Sequence, residues 1–268
     1  MHADLHMHST YSDGKNTPSE LCCLAQKHGV KVISITDHDT VGAHKWLAQN
    51  PQNIKIIPGV EISLMADHKM LHILGYYIDV YDPGLTQLMQ NMGAEITEST
   101  RLNFERARRD GVHSYEWERV ALHSPGEGRL GGSRVIKAMN IDGYKVAGME
   151  MDEFRQKYFI PDNPDYIWHT THSAYDVIDV IKAAGGIPVI AHPISVGNDD
   201  TVLDLIRYGV QGLEVYHPSH SGPETKKYLQ MATDKKLYIT GGSDWHGKSD
   251  RPFAGTGLAH GGYGILDV

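Results

Sequence analysis

Five short segments place imidazole or carboxylate beside an apolar run: His6-Met7-His8, Asp37-His38, Glu61, Ala191-His192-Pro193 and Asp244-Trp245-His246. Neutral imidazole and carboxylate oxygen are ligands that zinc, manganese and iron accept, and their use without thiolate points to a catalytic site. The only cysteines, Cys22 and Cys23, are adjacent and supply neither a zinc-finger set nor a disulfide framework. Ligands drawn from separate loops leave room for water, whose pKa falls from ~16 to about 7 on a divalent cation. Two cations bridged by one carboxylate would hold a hydroxide aimed at an electrophilic phosphorus or carbon. Glu61 is the carboxylate best placed to bridge. The chain carries 17 histidines, and their clustering beside apolar runs is the feature that surface scatter does not explain.

Such ligands need rigid positions, and strand C-termini are where α/β barrels place their chemistry. Ala3-Asp4-Leu5 reads as a first strand leading to His6 and His8. Thr17-Pro18-Ser19-Glu20 offers an N-cap, Pro at the first helical position and Glu three residues after the cap, and Gly29 a stop. Val30–Ile35 then reads as a strand ending at Asp37-His38, followed by a helix near 40–49. Strand and helix alternating at this spacing predict parallel βα units. The β-rich runs 54–64 and 70–77 predict a hairpin turning near Asp67-His68, which sets Glu61 opposite Leu74 and diagonal to His72, on one face. From 80 to 167 the texture is charged and helical, broken at Gly111, Pro125-Gly126-Glu127-Gly128 and Gly131-Gly132 into three or four short helices. Helices near 174–184, 197–208 and 223–235 precede strands that deliver His192, His217 and Asp244. Seven strand-to-loop steps predict a closed or nearly closed α/β barrel, residues 1–79 and 168–268, with residues 80–167 inserted as a small helical subdomain.

At 268 residues the chain has the length of one barrel or of one domain with an insertion. No apolar run reaches the ~18 residues of a membrane span, and the start shows no basic-then-apolar leader. A cytoplasmic location is the default expectation. A net charge of −8 argues against a duplex-DNA-binding surface. It leaves room for a small phosphorylated ligand, because bound cations offset local negative charge. The sequence does not set the oligomeric state.

The segments Asp4–Gly14 (DLHMHSTYSDG), Ile35–Thr40 (ITDHDT), Pro58–Ser63 (PGVEIS), Ala191–Pro193 and Gly242–His246 (GSDWH) together resemble the signature motifs of the PHP phosphoesterases, the polymerase and histidinol phosphatase superfamily. The resemblance implies a distorted (β/α)7 TIM-like barrel and two or three divalent ions of manganese, zinc or iron. Carried over by motif, one ion takes His6, His8, Glu61 and Asp244. A second shares Glu61 and takes His72 and His192, and a third takes Asp13, His38 and His246. Asp37 then orients a ligand histidine. The implied mechanism is in-line attack of a metal-bridging hydroxide on phosphorus.

His217 follows a strand, takes no metal role, and is a candidate either to protonate the leaving alcohol or to contact phosphate. In the branch with a helical insertion, a Gly/Ser-Arg-x-His segment contributes to phosphate binding. Arg134 matches it, and Ile136 stands where that segment has His. The branch implies a 3′,5′-nucleotide bisphosphate, a short oligonucleotide or a phosphoribosyl cyclic phosphate as substrate. A histidinol-phosphate-type phosphatase, a carbon-centred metal hydrolase and a non-catalytic replication-associated module are the other readings. The last is usually marked by lost ligands, and this sequence keeps all nine.

Overall fold

The computed structural model describes residues 2–247 except 67, 68, 125–128, 161, 162 and 170, together with 257 and 258. The expected turn at Asp67-His68 and the break at 125–128 therefore lie outside the described residues. The chain runs β1 (His2–Asp4), α1 (Pro18–Lys27), β2 (Val32–Ile33), α2 (Gly42–Gln49), β3 (Lys55–Ile56), β4 (Gly59–Ala66) and β5 (Lys69–Tyr76). Four helices follow: α3 (Pro83–Arg109), α4 (Trp117–Leu122), α5 (Gly132–Ile141) and α6 (Met151–Phe159). Then come α7 (Ala174–Ala183), β6 (Ile187–Ile190), a 3-10 turn at Pro193–Val196, α8 (Asp199–Tyr208), β7 (Gly212–Tyr216), α9 (Gly222–Lys235), β8 (Tyr238–Gly241) and β9 (Gly257–Leu258).

Local signals set the helix starts. Thr17 caps α1 with both bonds of a capping box, Glu20 N–H to Thr17 Oγ1 at 3.3 Å and Thr17 N–H to Glu20 Oε2 at 2.8 Å. Ser173 and Ser221 cap α7 and α9 in the same way. The hairpin takes the expected register, Glu61 opposite Leu74 and Ser63 opposite His72.

A single closed ladder does not form among the described residues. The strands make two sheets, in the orders β3-β2-β1-β9 and β4-β5-β6-β7-β8. Strand β5 is antiparallel to both neighbours, whereas β6, β7 and β8 are parallel. Single bridges, Met7 to Trp245 and His38 to Glu61, stitch the sheets at both seams. The predicted strand Val30–Ile35 shrinks to Val32–Ile33 for a local reason. Ser34 N–H bonds Asp4 O at 3.0 Å and Thr36 N–H bonds Met7 O at 2.8 Å, so three steps on one chain face two on the other. That extra residue is a bulge, which bends a strand and re-aims its side chains.

The main core joins β4–β8 to α7, α8, α9 and the first half of α3. A second core, with Phe104, Val120, Val135, Met139, Phe154 and Tyr158, lies entirely among the second half of α3 and α4–α6. Helix α3 is one rod of 27 residues, not short pieces, because its buried positions from Leu85 to Ala107 keep helical spacing through Gly93. No described helix is long and apolar enough to cross a membrane.

Candidate metal centre

The strand ends converge on the carboxylate of Glu61, which is 1% exposed in β4. Its Oε2 lies 3.2 Å from His6 Nε2, from His8 Nε2 and from His38 Nδ1. Its Oε1 lies 2.7 Å from His72 Nδ1 and 3.2 Å from His192 Nε2. Five imidazoles from four loops or strands therefore meet one carboxylate. Asp244 Oδ1 adds contacts at 3.1 Å to His8 Nε2 and 3.6 Å to His6 Nε2, and Asp13 Oδ1 sits 3.2 Å from His246 Nε2. All nine expected ligands are gathered here. Among the described residues, four groups have ligand atoms close enough to share an ion: His8, Asp13, His38 and His246; His6, His8 and Glu61; His38, Glu61 and His72; and His6, Glu214 and His217.

The donor set fits cations. His6 Nε2, His8 Nε2 and Glu61 Oε2 are buried and, despite their approach, make no hydrogen bond. Buried polar atoms ordinarily find partners, and lone pairs converging on one point are partnered by a metal ion. Ligand atoms bonded to one ion at about 2.0–2.2 Å stand roughly 3.0–3.5 Å from one another, the separation seen here. Burial alone would lower the pKa of His6, but Glu214 and then Glu61 outweigh it and hold the imidazole well above its usual value. His8 is likewise pulled up to about 10 against burial, by the neighbouring carboxylates of Asp244 and Glu61. Glu61 would be raised by burial, yet His72, His38 and His6 hold it well below the carboxylate range. The pocket thus favours anionic carboxylates facing positive charge, the electrostatics a divalent cation supplies.

Backbone geometry supports the convergence. Asp39, His192 and Asp244 are non-glycine residues at φ 53°, 26° and 51°, conformations that persist where surrounding structure holds them and that cluster at functional sites. A Cβ on Gly242 would come within 2.2 Å of His6 Cβ. Only glycine lets the chain leaving β8 pass so close to His6.

The supporting residues differ from expectation in two places. Asp37 takes Ser9 N–H, Ser9 Oγ–H and Ser12 Oγ–H at 2.7, 2.6 and 2.6 Å. It folds the loop carrying Asp13 and reaches His8 only through Ser12, whose Oγ is 3.5 Å from His8 Nδ1. The carboxylate that does hold ligand residues is Glu214, which the motifs did not mark. It lies 3.0 and 3.2 Å from His6 Nδ1 and accepts His192 N–H at 2.8 Å. Its signal was a lone charge in the otherwise apolar Gly212-Leu213-Glu214-Val215-Tyr216.

His217 is buried, with Nδ1 2.7 Å from Ser219 Oγ and Nε2 3.5 Å from Asp244 Oδ2. A cavity of about 560 Å³ opens beside Asp13 and His38 and is also lined by Lys45, Arg129, Ser133 and Arg134. Ile136 packs against the helical core instead. His172 pairs with Glu95 at 2.9 Å, and His220 Nδ1 bonds Val215 O at 2.9 Å. His260 lies outside the described residues.

Residues 4–160 match the model of the PHP domain family. The chain is 33% identical to a 3′,5′-nucleoside bisphosphate phosphatase of Chromobacterium violaceum, over 91% of this chain and 86% of the relative. It is 27% identical to a phosphoribosyl 1,2-cyclic phosphate 1,2-diphosphodiesterase of Eggerthella lenta, over 92% and 95%. A crystal structure from Bifidobacterium adolescentis, described as a metal-dependent phosphoesterase, superposes with a TM-score of 0.78 at 26% identity, covering 98% of this chain and 92% of that one.

Proposed function

The chain belongs to the PHP family and is a metal-dependent phosphoesterase, and we propose that it removes a phosphate from a nucleotide carrying both 3′ and 5′ phosphates. The cavity carries this choice of substrate. Its size suits a nucleotide, Asp13 and His38 of the donor cluster form part of its wall, and Lys45 and Arg134 supply cations to the same wall. One phosphate over the cluster and another beside the cations would satisfy both. The relative that acts on 3′,5′-bisphosphates supports the reading.

In this reading His6, His8, Glu61 and Asp244 hold one ion. His72 and His192, with Glu61, would hold a second, and Asp13, His38 and His246 would hold a third. The nitrogen and oxygen donors suit manganese, zinc or iron. The sheets form a distorted seven-unit barrel, supported by the bridges at both seams. Residues 80–167 form a substrate-binding cap, supported by their separate core.

Bound cations supply Lewis acidity, activating water and neutralising phosphate oxygens. The chain's own groups do the rest. Glu214 fixes His6 and the backbone of His192. Arg134, in the first turn of α5, orients a phosphate by charge-assisted hydrogen bonds. His217 protonates the leaving oxygen, and the buried cluster excludes bulk water from it.

The test is quantification of bound metal together with phosphate release from 3′,5′-bisphosphorylated adenosine, a ribose cyclic phosphate, a 5′-phosphorylated oligoribonucleotide and histidinol phosphate, with Asp244→Ala as control. Preferred turnover of the bisphosphate, abolished in the control, is expected. Preference for one of the other three overturns the substrate assignment.

A further inference from the structure

Arg129, which precedes α5, donates from Nη1 to Asp39 Oδ2 and, at 3.1 Å, to Ser63 Oγ. Asp39 follows His38 directly, and its side chain is fully buried. Its Oδ1 accepts Ser63 N–H at 2.9 Å, and its own N–H donates to Glu61 O at 2.9 Å. Ser63 Oγ lies 3.2 Å from His38 Nδ1. A guanidinium only donates, so Ser63 Oγ accepts from Arg129 and keeps a second lone pair for a proton on His38 Nδ1, whose other near acceptor is Glu61 Oε2, also at 3.2 Å. A ring protonated at Nδ1 presents Nε2 to a cation.

We propose that Arg129 is a positioning residue, holding the His38 ring in its cation-binding orientation through Asp39 and Ser63 and tying that part of the metal centre to the helical segment. The inference rests on the metal-centre reading above. Two observations favour it over a simple surface ion pair. Asp39 occupies the left-handed region at φ 53°, which Asp tolerates but which its surroundings must still select over the commoner basins. The bonds to both of its carboxylate oxygens do so here. Arg129 also reaches acceptors on two residues at once, including the hydroxyl beside the imidazole. Both bonds leave the one nitrogen Nη1, whose two N–H groups serve one acceptor each.

The test compares the wild type with Arg129→Met, Arg129→Lys and the double variant Arg129→Met/Asp39→Asn. Each is first checked for a cooperative thermal transition. Manganese affinity is read by electron paramagnetic resonance titration, and kcat and KM are measured at low and saturating manganese. Arg129→Met should bind its weakest manganese roughly tenfold less tightly, lose kcat at low metal and regain it at saturation, with Arg129→Lys in between. The double variant removes the stranded buried carboxylate, so it should recover thermal stability but not manganese affinity.

Folded Arg129→Met with unchanged manganese affinity and only a raised KM makes Arg129 a substrate contact and overturns the inference. Full recovery of manganese affinity in the double variant also overturns it, because Arg129 is then merely a counter-charge. Wild-type protein that binds no manganese, zinc or iron overturns the metal-centre reading instead.

Discussion

Replacing Glu214 by glutamine should weaken metal binding without unfolding the protein. The residue is fully buried, and its carboxylate accepts from two groups, His6 Nδ1 at 3.0 Å and His192 N–H at 2.8 Å. Glutamine keeps the shape but offers one acceptor and one donor, so its amide N–H must face one of those donors. It also removes the charge that keeps the proton on His6 Nδ1 and leaves Nε2 to a cation. Losing such an outer carboxylate costs roughly 10- to 100-fold in metal affinity or activity. That is about 1.4–2.7 kcal/mol at ~1.36 kcal/mol per tenfold. Glu214→Ala should add a stability loss of about 1–3 kcal/mol, since the buried His192 N–H is then unpaired. Chelator-competition titration and kcat at fixed free metal measure the first effect, and urea midpoints the second. A Glu214→Gln protein with metal affinity and kcat matching the wild type would refute the argument that Glu214 orients the ligand set.

Three further outcomes are expected. His217→Gln should lower kcat by about 10²–10⁴ on substrates with an alkyl leaving oxygen, with little loss on p-nitrophenyl phosphate, whose leaving group needs no proton; equal losses on both remove the general-acid role. Chelation should lower the melting temperature, because a ligand bound only to the folded state at 100 times its Kd contributes about 2.7 kcal/mol; a melt indifferent to chelator contradicts the cluster's role. His44 is buried with Nε2 2.7 Å from Ile35 O, and burial lowers its pKa from 6.5. Below 6.5 the unfolded chain takes up a proton that the folded chain does not, so stability falls as pH drops through that value. Exchange for glutamine should flatten the urea-midpoint slope between about pH 7 and pH 5, and parallel slopes would exclude His44 as its source.

What the sequence made legible was what local chemistry decides. The capping box at Thr17 and Glu20 and the hairpin register at Glu61 need only near neighbours. The shortness of β2 was hidden because it depends on a bulge between the chain after β1 and the chain after β2, where apolar pattern continues on both sides. The end of α3 was legible, because the helix stops at Arg109 just before the expected break at Gly111, whereas its 27 residues exceed the short helices expected there. Within the site, the motif residues stand out in sequence because few residue types can hold a cation, and the fold gathers them around Glu61. Their supports were missed because supports are defined by partners. Glu214 reaches His6 across 208 positions and Arg129 reaches Asp39 across 90, spacings that no motif spans.

Charge shows the same division. A net charge of −8 spread over 268 residues predicts no large basic surface, but it says little about one cavity. Both acids that line the cavity are already engaged, Asp13 with His246 at 3.2 Å and Asp39 with Arg129. Lys45 and Arg134 line the same space. An incoming phosphate therefore meets cationic donors and carboxylates whose charge is locally compensated. Under the proposed substrate assignment, selectivity for a doubly phosphorylated ligand would be set by pairings made on folding, and an acidic chain can carry an anion site without contradiction.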